Sequence, residues 1–141
     1  MLNIEFHNED VDYELEHPDR VRFWIVETVR AEDGILGDLN FIFCSDEYLY
    51  QMNVDYLGHD TYTDVITFPY SEEHVEGDIF ISVDRIRENA QTFGVTERQE
   101  MLRVIIHGVL HLLGYGDLTD EEEKTMREKE DFYLSMLGTA G

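Results

Sequence analysis

The chemistry of this sequence concentrates in one run, His107-Gly108-Val109-Leu110-His111-Leu112-Leu113-Gly114-Tyr115-Gly116-Asp117. Two histidines four apart lie on one face of a helix, about one turn from each other. Imidazoles so placed reach a single metal ion. Gly114 follows three residues after His111, where a helix needs a left-handed terminating residue. The chain then folds back and carries Asp117 towards the same point. An isolated histidine pair on an apolar helix is often a satisfied core pair. The glycine turn and the carboxylate beyond it tip the reading to a metal site formed by His107, His111 and Asp117. Two neutral imidazoles plus one carboxylate leave a coordination position open for water, as a catalytic site needs. Zinc is the expected ion, with iron or nickel as alternatives, because two imidazoles and a carboxylate also suit Fe(II).

The spacing HxxxHxxGxxD is that of the metzincin ligands, with Asp in third place. Peptidases of the zincin type carry Glu directly after the first histidine, as general base. Here that residue is Gly108, which has no side chain. Peptidase activity is therefore placed behind other metal-dependent hydrolysis.

The elements that must position this run follow from periodicity. A short strand is predicted over Asn3–Phe6. Pro18 and Asp19 open a helix whose apolar stripe is Val21, Trp24, Ile25, Thr28 and Val29, and Asp33-Gly34 ends it. A strand over Leu39–Cys44 leads to Ser45, an N-cap. The helix it starts presents Tyr48, Leu49, Met52 and Tyr56 and stops near Gly58. Strands are predicted over Thr63–Phe68, ended by Pro69, and over Asp78–Val83, with an acidic loop at Ser71–His74 between them. Three helices complete the chain, at about Asp84–Phe93, Glu97–Leu113 and Asp120–Leu137. Thr96…Gln99 and Thr119…Glu122 are capping-box patterns for the last two. The expected fold is α+β, zincin-like, a small four-stranded mixed sheet covered by helices.

Composition narrows the function classes. The chain has 141 residues, 43% of them hydrophobic, which suits one domain, a metal-dependent hydrolase over residues 1–141. Ten Lys+Arg against thirty-two Asp+Glu leave a net charge of −22. From Ala31 to Asp84 there is no Lys or Arg at all. General electrostatic grip on DNA or RNA phosphates is unexpected, so weak binding to naked RNA and dependence on a ribosomal or protein partner are predicted. No apolar stretch is long enough to span a membrane. The opening MLNIEFHNED turns acidic too early for a signal peptide, and the lone Cys44 fits a reducing compartment, so a cytoplasmic location is expected.

Three segments in register resemble the YbeY family of bacterial metal-dependent endoribonucleases. HGVLHLLGYGD is similar to that family's HGxLHLxGYDH signature, Thr63–Pro69 to its TDVLSFP strand, and Gly77–Ser82 to its GDIxIS strand. The likeness runs from about Leu39 to Leu137. It implies a zinc ion held by His107 and His111, with Asp117 in the place of the family's third histidine. It further implies hydrolysis of single-stranded RNA, maturation of small-subunit ribosomal RNA at its 3′ end, ribosome quality control, and the ribosome or a ribosomal protein as partner. Neither DNA nor a membrane is expected. Members commonly carry Arg where this chain has Leu57.

Two residues are candidates for the missing cation's work: His59 in the loop before the Thr63 strand, and Arg103, one turn ahead of His107. For Arg103 the alternative is a surface pair with Glu100 or Gln99. Asp64 and Asp78, read as strand residues, could orient a ligand imidazole or bond loop backbone. Tyr115 is read as packing over a helix end, Trp24 as core, and the last helix's Asp120–Glu123, Lys124, Arg127 and Lys129 as a solvated face. Against the nuclease stand two other classes: a non-catalytic metal-binding ribosome-assembly factor, and a hydrolase of a small substrate.

Overall fold

The computed structural model describes residues 3–137. Its elements run β1 (Ile4–Asn8), α1 (Pro18–Ala31), β2 (Leu36–Cys44), α2 (Asp46–Leu57), β3 (Val65–Pro69), β4 (Val75–Ser82), α3 (Val83–Phe93), α4 (Glu97–Leu112) and α5 (Asp120–Leu137). The sheet order is β1-β2-β4-β3. β1, β2 and β4 are mutually parallel, and β3 returns antiparallel on β4 with Thr67 opposite Ile79. This is the expected α+β architecture, with a four-stranded mixed sheet.

Alternation along the strands splits the apolar residues between two faces. Leu39, Phe41, Phe43, Ile79 and Ile81 join Val21, Trp24 and Ile25 of α1 and much of α4 in the main core. On the other face Leu49 of α2 packs with Cys44 and Ile66 of the strands. A strand with both faces covered reads as a nearly continuous apolar run, as Leu39–Cys44 does.

The strands extend beyond their predicted ends. β2 begins at Leu36 and β4 at Val75, because Leu36 pairs with Val75 across an irregularity between Leu36 and Leu39. Gly37, Asp38, Glu76 and Gly77 are weak strand formers, so pairing rather than propensity makes this segment a strand. Pro69 lies within β3 rather than after it, which an edge strand tolerates. Tyr56 is exposed, and Asn53 takes the buried place on α2.

Helix α4 occupies the centre. Met101, Leu102, Val104, Ile105, Ile106, Val109 and Leu110 are all buried, so the helix is enclosed by β3, β4 and the neighbouring helices. Gly108 explains how it comes so close to the sheet. A Cβ there would lie 2.9 Å from Ile79 Cδ1 and 3.0 Å from its Cγ2. The Thr96–Gln99 capping box starts α4, and Thr119 and Glu122 form the predicted box at α5, each amide accepted by the other's side chain at 3.1 Å.

Candidate metal centre

The site stands at the C-terminal end of α4. The amide of Gly114 donates to His111 O and that of Tyr115 to Leu110 O, each at 3.0 Å, which closes the last turn. Gly114 has φ +106°, a value costly for any residue with a Cβ. The chain reverses there, and Asp117 comes back over the helix end.

The reversal converges three donor atoms. Asp117 Oδ2 lies 3.2 Å from His111 Nε2 and 3.4 Å from His107 Nε2. All three fall within 4.8 Å of one another, and the two imidazole rings stand nearly perpendicular at 88°. Ligand atoms at 2.0–2.1 Å around a tetrahedral ion are about 3.3 Å apart. The two Asp117 distances match that edge, so the donor set fits one small divalent cation. His107, His111 and Asp117 are each partly exposed, leaving the cluster open to solvent.

Behind His107 lies a partner that sequence reasoning did not single out. Glu130 on α5 is buried, and its Oε2 is 2.7 Å from His107 Nδ1. A carboxylate there favours the Nδ1–H tautomer and turns the Nε2 lone pair towards the donor cluster. Burial opposes protonation of His107, but the Glu130 hydrogen bond and nearby carboxylates outweigh it and raise its pKa. Burial likewise opposes ionisation of Glu130, yet His107 and Arg103 together hold its carboxyl below the ordinary range. The legible signal was position: Met126, Glu130 and Tyr133 repeat at helical spacing, which places Glu130 on the inward stripe.

Arg103 is not the free cation, nor the surface pair with Glu100 or Gln99, that its place in the sequence allows. Its guanidinium donates to Glu130 Oε1 at 2.8 Å and to Asp131 Oδ1 at 2.7 Å. Its charge is thus spent on the carboxylate that orients His107. Asp64 lies just before β3 rather than on it, and it lines the same cleft as the donors. Burial pushes its carboxyl above the usual range, against the field of His107. Asp78 is away from the ligands: it accepts from Asn40 Nδ2 at 3.2 Å and from Tyr70 OH at 2.5 Å.

Tyr115 does more than cover a helix end. Its hydroxyl donates to Glu32 Oε1 at 2.6 Å, while Glu32 Oε2 accepts from Lys129 at 3.0 Å and from Tyr133. This network clamps the turn that carries Asp117 between α1 and α5. Trp24 is core as read, and its Nε1 donates to Tyr133 O at 2.7 Å.

An open cleft of about 560 Å³ lies in front of the cluster. The end of α2 and the loop between it and β3 form one wall, contributing Leu57 from the helix and His59, Thr61 and Tyr62 from the loop. Buried Asn53 holds that loop by donating to Thr61 O at 2.8 Å. His59 is exposed and shares the cleft with the three donors. A smaller cleft of about 290 Å³ adjoins it on the α3–α5 side, and Asp64, His107 and Asp117 border both.

An α+β fold with an open cluster of two imidazoles and one carboxylate, its rear imidazole fixed by a buried acid, places at a cleft floor three side chains that could hold a single metal ion. The chain belongs to the endoribonuclease YbeY family, whose model matches residues 3–138. The Endoribonuclease YbeY of Cytophaga hutchinsonii is 50% identical over 135 residues, covering 94% of each chain. That of Amoebophilus asiaticus is 47% identical over 134 residues, covering 94% of this chain and 91% of its own. A solution structure from Thermotoga maritima superposes with TM-score 0.69 at 33% identity, covering 95% of this chain and 88% of that one. The family and the fold expected from the sequence are both borne out. Among the described residues no helix is long and apolar enough to cross a membrane.

Proposed function

We propose that this chain is a metal-dependent endoribonuclease of single-stranded RNA, with His107, His111 and Asp117 holding one divalent ion, zinc. The observation that carries the reading is the Asp117 oxygen at 3.2 and 3.4 Å from both imidazole Nε2 atoms, on the floor of an open cleft. A metal bound there supplies a water of lowered pKa and a Lewis acid for a phosphoryl oxygen. The protein's own part is positional: Glu130 holds the His107 tautomer, Gly114 brings Asp117 back, and Asp64 and His59 flank the space before the donors. Gly108, packed on Ile79, offers no peptidase-type base, which favours a phosphodiester over a peptide bond.

The substrate within this reading is ribosomal RNA, at the 3′ end of the small-subunit species, with a further part in ribosome quality control. The work is done in the cytoplasm and with a ribosomal protein as guide. The need for a guide is supported by Leu57, an apolar residue in the cleft wall, and by the −22 charge. Those same two features favour, as a second reading, an assembly factor that binds metal without cutting.

Metal analysis of untreated protein, followed by incubation with single-stranded and duplex RNA beside Asp117→Ala, tests the proposal. Cleavage of the single strand only, lost with the metal in Asp117→Ala, is the expected result. Metal-loaded protein that cuts no RNA would transfer the case to the assembly factor.

A further inference from the structure

The cleft wall formed by the α2–β3 loop carries an aromatic pair that the metal chemistry does not use. Tyr62 lines the cleft and is 50% exposed. One side of its ring is covered by Tyr50, with ring centroids 4.4 Å apart and planes inclined by 23°. Both rings are tied off at the hydroxyl: Tyr62 OH donates to Glu47 Oε1 at 2.6 Å, and Tyr50 OH donates to Asp60. The pair is therefore held in place before any ligand arrives, so little side-chain freedom is lost on binding.

The charges around the pair decide what it can receive. No Lys or Arg occurs between Ala31 and Asp84, and Glu47 and Asp60 stand at the two hydroxyls. A phosphate backbone is repelled from such a wall. A single strand entering the cleft must present its bases there, and every base has a face that stacks on an aromatic ring.

We propose that Tyr62, backed by Tyr50, is a nucleobase subsite, on which one unpaired base of the RNA strand stacks while the adjacent phosphodiester lies before the donor cluster. The proposal rests on the nuclease reading for the identity of its ligand. It assigns the grip on this side of the cleft to stacking rather than to phosphate neutralisation, so binding through it is little weakened by salt.

The test compares wild-type protein with Tyr62→Ala, Tyr62→Leu and Tyr62→Trp, all metal-loaded, on a short single-stranded RNA. The strand carries the fluorescent base 2-aminopurine at one position at a time, and stacking quenches it. Loss of one stacked base costs about 5- to 150-fold in affinity. Tyr62→Ala and Tyr62→Leu are expected to raise KM by that factor with kcat at saturation and metal content unchanged. Quenching at one base position is expected in the wild type and in Tyr62→Trp and to disappear in the other two. Leucine keeps apolar bulk without an aromatic face, so wild-type affinity in Tyr62→Leu would overturn stacking, and the Leu–Trp pair decides even if the alanine variant folds poorly. RNA that is bound and quenched through Tyr62 but never cut would sustain the subsite and overturn the nuclease reading. RNA that is cut with no dependence on Tyr62 would do the reverse. A wild-type protein that neither binds nor cuts single strands would overturn both.

Discussion

Asp117 contributes one oxygen that faces two imidazoles, and its charge sets what an ion held there can do. A three-histidine site is one unit more positive than this one, and therefore a stronger Lewis acid. Asp117→Ala is expected to lower metal occupancy sharply and to abolish hydrolysis, as read by metal analysis and RNA cleavage. Asp117→His is expected to keep the metal and move the pH–rate profile to lower pH. Full occupancy in Asp117→Ala would show that the third donor comes from elsewhere. Glu130 works one bond further back. Glu130→Gln keeps a hydrogen-bond acceptor for His107 but removes the charge, and is expected to weaken metal binding about 10- to 100-fold. Isothermal titration with Zn²⁺ reads this directly, and an unchanged affinity would reduce the Glu130–His107 contact to mere packing. That His107, His111 and Asp117 come together was legible in the sequence because their spacing is local. Glu130 and Glu32 were not, because the groups they serve lie 23 and 83 residues away, at His107 and Tyr115.

At the scale of elements, the site depends on how closely α4 lies on β4. Gly108 sits where sequence comparison looks for a catalytic base, and its absence is a negative statement until the sheet is in view. The structure supplies the positive reason, since Ile79 fills the space a side chain would need. Gly108→Ala is expected to destabilise the protein by about 1–3 kcal/mol, the usual cost of overpacking, despite alanine's better helix propensity. Thermal unfolding measures it, and a rise in Tm would mean that Ile79 yields without cost. The caps of α4 and α5 were readable because a capping box is complete within four residues. The true starts of β2 and β4 were not, because Leu36 and Val75 become strand only by pairing with each other. Arg103 failed for a related reason: helical spacing placed it beside His107, but its partners Glu130 and Asp131 come from another helix.

The whole molecule sets two opposing dependences on pH. Thirty-two acidic residues against ten Lys+Arg give self-repulsion that falls as histidines and then carboxylates take up protons, so mild acid favours the folded state. Against this stand carboxylates that folding has stabilised in charged form. Burial opposes ionisation of Glu32, but donors from Tyr115, Tyr133 and Lys129 outweigh it and hold the carboxyl below its ordinary value of 4.5. A group whose folded pKa is depressed contributes fully above its unfolded value and loses that contribution as pH falls through the folded one. The Glu32 clamp on the Asp117 turn is therefore complete above about pH 4.5 and lost progressively below it. Repulsion relaxes first and the clamp fails later, so at low salt Tm is expected to peak at about pH 5–6. Added salt screens the repulsion and should raise Tm most near neutrality, flattening the peak. Glu32→Gln weakens charge-assisted hydrogen bonds and is expected to cost about 1.5–3 kcal/mol at pH 7. Its deficit relative to wild type should shrink as pH drops below 4.5, because the wild-type carboxyl then loses the same charge. Calorimetric scans of both proteins across pH check this; a deficit that stays constant into strong acid would show that the clamp acts through shape and not through charge.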